Sequence, residues 1–264
     1  MDKSSRLRSR YLLAALVGLV LLLQVAGCSL SPSTTGTTAA TAHRASANQT
    51  VTTQIPALTQ SQVRHISKAM APSVVGVEAV MSRSGNQVLE QVGTGVIYSS
   101  NGYIVTNNHV ISSEVTEVVS KAITVTLSNS KKYSASVVGR DTSVDLAVLR
   151  IRARSLTAAE FRTDIANVAP GEPVVAIGNA KILKRPVTSG RVIGLVDHAN
   201  FDKMPGVREV IESSAPLAKA NSGGPLVDSK GRVIGINTAE TLNGTAISLP
   251  ADLVVQEVKL LMAG

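Results

Sequence analysis

Residues 221–238 read NSGGPLVDSKGRVIGINT. Two short runs rich in Val, Leu and Ile stand on either side of Asp-Ser-Lys-Gly, which is a turn composition. The pattern predicts two short strands separated by a turn. Ser222 comes just before the first strand and precedes two glycines, whose missing Cβ atoms let a backbone turn sharply and approach a ligand closely. The stretch therefore predicts a serine hydroxyl beside a tight turn where a ligand could approach the backbone.

The same strand pattern runs through most of the chain. Short Val- and Ile-rich runs bounded by Gly, Asn, Asp and Ser occupy residues 73–80, 93–98, 103–106, 122–127, 133–139, 145–151, 173–178, 187–196, 207–212, 224–227, 232–238 and 245–250. Helical linkers between the runs are largely missing, so the pattern favours an all-β barrel or sandwich over a parallel α/β sheet. Residues 152–172 interrupt the series and predict a connection between two β units. Short helices are predicted over 57–70 and, after Pro250, at the C-terminal end.

The composition argues against several kinds of site. The 264 residues are 44% apolar but only 2% aromatic, so a core can form while a platform of rings for stacking bases is not expected. The single cysteine excludes a disulfide within the chain and a Cys-rich zinc site. The formal net charge is +8, yet no uninterrupted basic run beyond residue 27 is longer than a pair such as Lys131-Lys132. We therefore expect no metal, no cofactor and no nucleic-acid partner.

The N-terminal part differs in composition from the rest. Residues 2–10 are polar and basic, and the 13 apolar residues YLLAALVGLVLLL that follow are fewer than the roughly 20 that a membrane span needs. The residues VAGC at 25–28 resemble a bacterial lipobox, which predicts a lipoprotein signal peptide over 1–27 and a lipid on Cys28. An ordinary secretory leader and an uncleaved anchor are the alternatives. Residues 28–56 are rich in Ser, Thr and Ala and predict a flexible tether to a membrane surface.

Three residues far apart in the chain form a candidate catalytic triad. A serine nucleophile needs an imidazole to accept its proton and a carboxylate to hold that imidazole in one tautomer. No histidine follows Ser222, which excludes the α/β-hydrolase order, in which the histidine comes last. His109 follows a predicted strand and Asp145 opens another, so the order is that of chymotrypsin. Two alternatives stay open on the residues alone: Asp141 in place of Asp145, and a set built on His198.

Several segments together resemble the HtrA/Deg type of trypsin-like serine protease. They are APSVVGV, GTGVIYSSNGYIVTNNHVI, VDLAVLRI, PVVAIGN, VTSGRVIG and NSGGPLVDSKGRVIGINTA, and they run in the family's order from about residue 71 to residue 250. The resemblance implies an all-β, chymotrypsin-like fold of two packed six-stranded antiparallel β-barrels, at about 71–152 and 173–250, with a short C-terminal helix. The protease domain would cover 57–264, with the active site in the cleft between the barrels.

The resemblance also implies a role for each site residue. His109 is the general base, Asp145 orients it, and Ser222 is the nucleophile. The backbone N–H groups of Ala220 and Ser222 form the oxyanion hole. The family has Gly where this chain has Ala220, and a methyl group there restricts any backbone geometry that needs a positive φ. We therefore expect Ala220 to affect the efficiency of catalysis.

Function and location follow from the same resemblance. The chain is expected to be an extracytoplasmic serine endopeptidase, lipid-anchored at the bacterial cell envelope, that hydrolyses unfolded or damaged polypeptides through an acyl-enzyme. A small, uncharged specificity pocket lined by Pro216, Ile247 and Ser248 would favour small aliphatic residues before the scissile bond. The family forms trimers, and its usual PDZ domain is not expected in this chain. The alternatives are a catalytically silent protease fold that binds polypeptides as a chaperone does, and an esterase on the same scaffold.

Overall fold

Antiparallel strands make up most of the regular secondary structure in the described part of the chain. The computed structural model describes residues 55–83, 87–113, 118–178, 186–197, 204–241 and 243–264, which all belong to one unit, Thr52–Gly264. The predicted leader and most of the tether, with Cys28, lie outside the described residues, and so does His198. Among the helices that are described, none is long and apolar enough to cross a bilayer.

The first six strands close into a barrel. They are β1 (Val74–Arg83), β2 (Gln87–Ile97), β3 (Tyr103–Asn107), β4 (Ala122–Thr126), β5 (Lys132–Asp141) and β6 (Leu146–Ile151). Their order around the barrel is β1-β2-β3-β6-β5-β4, and all pairs are antiparallel. Aliphatic side chains that alternate along the strands point inward, and Val77, Val125 and Leu149 are fully buried there.

The last six strands repeat the arrangement. They are β7 (Pro173–Ile177), β8 (Val187–Asp197), β9 (Glu209–Ser213), β10 (Pro225–Val227), β11 (Val233–Glu240) and β12 (Ala246–Pro250). Their order around the second closed barrel is β10-β11-β12-β9-β8-β7. The predicted fold of two six-stranded antiparallel barrels is confirmed.

A continuous apolar cluster joins the two barrels. It contains Val96 from the first barrel, Ile236 from the second, and Met70 at the end of the N-terminal helix. Each such fully buried side chain contributes roughly 1.5–3 kcal/mol. The helices are α1 (Gln60–Met70), which begins with a capping box at Thr59, the single turn α2 (Asn108–Ile111) and α3 (Ala251–Ala263), with short 3₁₀ helices at Ala71–Ser73, Ile165–Asn167 and Lys219–Asn221. The cluster fixes the relative position of the two barrels.

The segment between the barrels is held by ion pairs around Arg162. Its side chain is 9% exposed, and its guanidinium lies 2.5 Å from Glu172 Oε1 and 3.1 Å from Asp164 Oδ1. Asp228, which follows β10, lies 3.7 Å from the Arg162 Nη1 and also pairs with Arg232. Arg162 therefore ties the connecting segment to the second barrel through charges that are largely removed from water.

Replacing Arg162 with methionine is expected to lower the free energy of unfolding by about 3 kcal/mol, because the largely buried Glu172 then has lost its cation, whereas Asp228 keeps Arg232. Urea unfolding followed by circular dichroism measures the loss. The control is Lys132→Met, which breaks an exposed ion pair with Glu78 that contributes at most about 1 kcal/mol. Equal losses in the two variants would contradict a structural role for the Arg162 cluster.

Candidate active site

His109 and Asp145 form a hydrogen-bonded pair. His109 lies in α2, the single helical turn that directly follows β3, so the strand sets the position of the imidazole. Its Nδ1 lies 2.8 Å from Asp145 Oδ2, and its backbone N–H donates to Asp145 Oδ1 at 2.9 Å. Both carboxylate oxygens thus face the same residue. Because a carboxylate accepts, Nδ1 carries a proton, and in the neutral ring Nε2 then has the lone pair that a general base needs.

Asp145 is positioned through its backbone as well as its side chain. It has φ 55°, in the left-handed region that Asp tolerates better than most residues, and it comes just before β6. Its carbonyl oxygen accepts from the backbone N–H of Asn108 at 3.1 Å and from Asn107 Nδ2 at 3.0 Å. The neighbouring Asp141 accepts the backbone N–H of Ser143 at 2.6 Å, which is a turn contact. Asp145, and not Asp141, is the aspartate hydrogen-bonded to His109.

Thr238 connects the pair to Ser222. Its hydroxyl donates to Asp145 Oδ2 at 2.7 Å, across the boundary between the barrels. Its carbonyl oxygen accepts from the Ser222 hydroxyl at 3.3 Å. Ser222 is partly exposed and follows the 3₁₀ helix Lys219–Asn221. One residue of β11 therefore contacts both the carboxylate and the predicted nucleophile, although nothing in its local sequence had singled it out.

The remaining predicted site residues differ in exposure. Ala220 lies within the 3₁₀ helix with a negative φ and is 8% exposed. Ile247 and Ser248 of β12 are fully buried, and the Ser248 hydroxyl lies 3.0 Å from Asn237 Oδ1. Pro216 is exposed. In the described ranges no three His, Cys, Asp or Glu side chains come together where they could hold a metal ion.

Proteins that resemble this chain in sequence and in fold include serine proteases. The family model described as trypsin-like peptidase domain matches residues 93–236. The serine protease Do-like HtrB of Bacillus subtilis (strain 168) is 30% identical over 255 residues, which cover 90% of this chain and 54% of that protein. A probable periplasmic serine endoprotease, DegP-like, of Buchnera aphidicola (subsp. Baizongia pistaciae, strain Bp) is 36% identical over 195 residues, covering 73% of this chain and 38% of that protein.

The solved structures agree with the curated relatives. The structure of the HtrA-type protease AlgW with a tripeptide matches with a TM-score of 0.67 at 27% identity, covering 76% of this chain and 63% of that one. The chain spans about half the length of the curated relatives it matches. His109, Asp145 and Ser222 all fall inside the segment that the family model matches. The chain therefore belongs to the trypsin-like peptidase domain family, and its relatives there are HtrA-type serine proteases.

Proposed function

We propose that this chain is a serine endopeptidase in which Ser222 is the nucleophile, His109 the general base and Asp145 the residue that orients the base. The observation that carries the proposal is the chain of contacts from His109 Nδ1 to Asp145 Oδ2, from Asp145 Oδ2 to the Thr238 hydroxyl, and from the Thr238 carbonyl to the Ser222 hydroxyl. This arrangement combines a correctly oriented imidazole with a hydroxyl held in the same cleft.

The chemistry proceeds in two acyl transfers. The Ser222 hydroxyl rotates about χ1 from the Thr238 carbonyl toward the imidazole, attacks the scissile carbonyl carbon, and passes its proton to His109 Nε2. The carboxylate of Asp145 stays ionised and stabilises the imidazolium. His109 then gives the proton to the leaving amine, which departs and leaves an acyl-enzyme on Ser222. A water molecule, deprotonated by His109, attacks this ester, and the proton returns to Ser222 as the acid product leaves.

An extended polypeptide would bind along β11. β10 pairs with β11 at Val233, Gly235 and Ile236. Thr238 comes after these paired residues and lies beside Ser222. A peptide added to the edge of β11 as an antiparallel strand would run past the nucleophile, which is a common mode of peptide recognition. We propose that the residue before the scissile bond packs beside the exposed Pro216, with the fully buried Ile247 and Ser248 behind it, and that small aliphatic residues are preferred there.

The natural setting is proposed to be outside the cytoplasm. One relative is named as periplasmic, and the predicted leader and Cys28 would anchor this chain to the outer side of a bacterial membrane through a lipid. Unfolded or damaged polypeptides are the proposed substrates, because an extended backbone is what a strand edge can bind. A homotrimer is the proposed assembly, by analogy with the family.

The function is tested by comparing casein hydrolysis, ester hydrolysis and casein binding by the full chain. Peptide-bond hydrolysis is the expected result. Ester hydrolysis without casein cleavage would indicate an esterase on this scaffold. Casein binding without hydrolysis of either substrate would indicate a silent polypeptide-binding fold.

The position of Ala220 is the observation that favours the silent alternative. In the 3₁₀ helix the N–H of Asn221 donates back to the carbonyl of Ala218 at 2.7 Å, so the backbone of this turn bonds to itself. Turning the N–H of Ala220 outward, toward a substrate oxyanion, requires rotation of the peptide group before it. That rotation moves the φ of Ala220 toward positive values, where a residue with a Cβ costs about 1–2 kcal/mol.

Replacing Ala220 with glycine is therefore expected to raise kcat for a peptide substrate by about tenfold, because glycine enters the positive-φ region without that cost. Steady-state kinetics with a chromogenic peptide measure the gain. Ala218→Gly is the control, since it adds the same freedom outside the proposed oxyanion hole. An unchanged or lower kcat for the Ala220 variant would show that the methyl group does not limit the reaction.

A further inference from the structure

We propose that Thr94 is a positioning residue for catalysis, which holds the loop carrying Ser222 through its side chain. The proposal rests on the proposed function, because it concerns the same reaction. The loop in question, called here the serine loop, comprises residues 218–224. Thr94 lies on β2 of the first barrel, whereas the serine loop belongs to the second barrel, so the contact joins the two barrels directly beneath the proposed nucleophile.

Thr94 binds the serine loop at two carbonyl groups. Its hydroxyl donates to the carbonyl oxygen of Ala220 at 2.6 Å, and its backbone N–H donates to the carbonyl oxygen of Ser222 at 2.9 Å. Its own carbonyl oxygen accepts from the hydroxyl of Thr106 at 2.7 Å. Both threonines are fully buried. The three hydrogen bonds are thus shielded from water and tie the serine loop to the strand that precedes His109.

Glycine at position 223 makes this close approach possible. Gly223 has φ 80°, and a Cβ added there would collide with the Thr94 carbonyl oxygen and the Thr106 hydroxyl. The N–H of Gly223 donates to the carbonyl oxygen of Asn237 on β11 at 2.8 Å. The serine loop is therefore packed directly on the two threonines, with no intervening side chain.

The geometry explains why a hydroxyl group at Thr94 matters for the reaction. A peptide group is planar, so fixing its carbonyl oxygen also fixes the direction of its N–H. Thr94 fixes the peptide group that follows Ala220 and the one that follows Ser222. The N–H of Ser222, a proposed oxyanion donor, belongs to the single peptide group between these two. Holding both neighbours limits how far that donor can turn.

Thr94 and Ala220 act on different parts of the serine loop. The rotation that would expose the Ala220 N–H changes the peptide group before Ala220, whereas Thr94 holds the carbonyl after it. The contact with Thr94 is therefore compatible with that rotation, because the carbonyl group after Ala220 stays in place while the peptide group before it turns. Loss of the hydroxyl would leave the buried carbonyl of Ala220 without this donor and would let the loop shift. Displacements of about 1 Å at a reacting group can lower rates by up to about 10²-fold.

The test compares Thr94→Val with the wild-type full chain. Valine keeps the shape and the backbone N–H but removes the hydroxyl. We expect kcat for a chromogenic peptide to fall by about 10- to 100-fold, with KM changed by less than about threefold, because the bound ground state does not depend on the oxyanion donors. Thr94→Ser retains the hydroxyl and is expected to recover most of kcat. Thr94→Ala also removes the hydroxyl but adds no second methyl group. It is expected to behave like the valine variant and replaces it in the test if valine prevents folding.

The matched control is Thr126→Val. Thr126 is a buried threonine on β4 of the same barrel, and within the part of the chain that the structure describes its hydroxyl has no hydrogen-bond partner. The control is expected to leave kcat unchanged. Equal losses of kcat in the Thr94 and Thr126 variants, failure of the serine variant to recover activity, or a rise in KM alone would each overturn the proposal.

A second measurement separates this proposal from the proposed function. Hydrogen–deuterium exchange followed by mass spectrometry reports the serine loop directly, with or without turnover. We expect Thr94→Val to accelerate exchange in residues 218–224 while Thr126→Val does not. If the wild type cleaves peptides and the Thr94 variant matches it in kcat and exchange, the positioning role is wrong and the protease function stands. If the wild type is inactive, the protease function is wrong, and unchanged exchange in the Thr94 variant would overturn the positioning role as well.

Discussion

Replacing Ser222 with alanine is expected to lower kcat for a peptide substrate by about 10⁶-fold. The hydroxyl is the group that would form the acyl-enzyme, and the alanine side chain has no atom that can replace it. Polypeptide binding along β11 should persist, because the backbone edge and the proposed pocket are untouched. The measurement is steady-state hydrolysis of a chromogenic peptide, paired with fluorescence anisotropy of a labelled casein peptide.

The control for this variant is Ser213→Ala, which removes a fully buried hydroxyl in the same barrel that has no partner among the described residues. We expect its kcat to stay within about twofold of the wild-type value, with at most a small change in stability. Residual activity of the Ser222 variant above about one thousandth of the wild type would contradict the assignment of the nucleophile. Another group would then have to perform the attack.

Asp145→Asn is expected to lower kcat by about 10⁴-fold. The two carboxylate oxygens face donors only: the His109 backbone N–H at Oδ1, and the His109 Nδ1–H and Thr238 hydroxyl at Oδ2. An amide must place its NH₂ group at one of these positions. Placed at Oδ2, it forces the His109 proton onto Nε2, where the ring can no longer act as a base. Placed at Oδ1, the NH₂ group faces the backbone N–H of His109, which is also a donor, so the hydrogen bond between them is lost.

The backbone is expected to tolerate this change, since Asn adopts the left-handed region at φ 55° as readily as Asp. The loss should therefore appear in kcat with a folded protein, as judged by circular dichroism. Asp141→Asn is the matched control, because its carboxylate makes a turn contact with the Ser143 backbone. A tenfold or smaller loss in the Asp145 variant, similar to that of the Asp141 variant, would refute the orienting role.

Local sequence patterns predicted the strands but not all of their lengths. The run at 73–80 and the run at 93–98 are parts of β1 and β2, which extend to Arg83 and start at Gln87. The extensions read MSR at 81–83 and QVLEQV at 87–92, so polar residues break up the continuous run of Val and Ile that marks a buried strand. Backbone pairing, with Arg83 opposite Gln87, makes them strands without that signal.

The candidate site could be proposed from the sequence where a motif and the chain order mark the residue, and not where it depends on contacts across the barrels. His109, Asp145 and Ser222 could be proposed because their order and their neighbouring motifs are specific. Thr238 and Thr94 are two of many threonines, and their partners Asp145 and Ala220 lie 93 and 126 residues away. Only the closed barrels bring these hydroxyl groups to the carboxylate and to the serine loop.

The central claim is that the His109–Asp145 pair activates Ser222. The most direct test treats the full chain with a fluorophosphonate and maps the adduct by peptide mass spectrometry, in the wild type and in His109→Ala. We expect one adduct, on Ser222, formed by the wild type and strongly slowed in the histidine variant. An adduct on a different residue, or labelling of Ser222 at the same rate without the imidazole, would contradict the account.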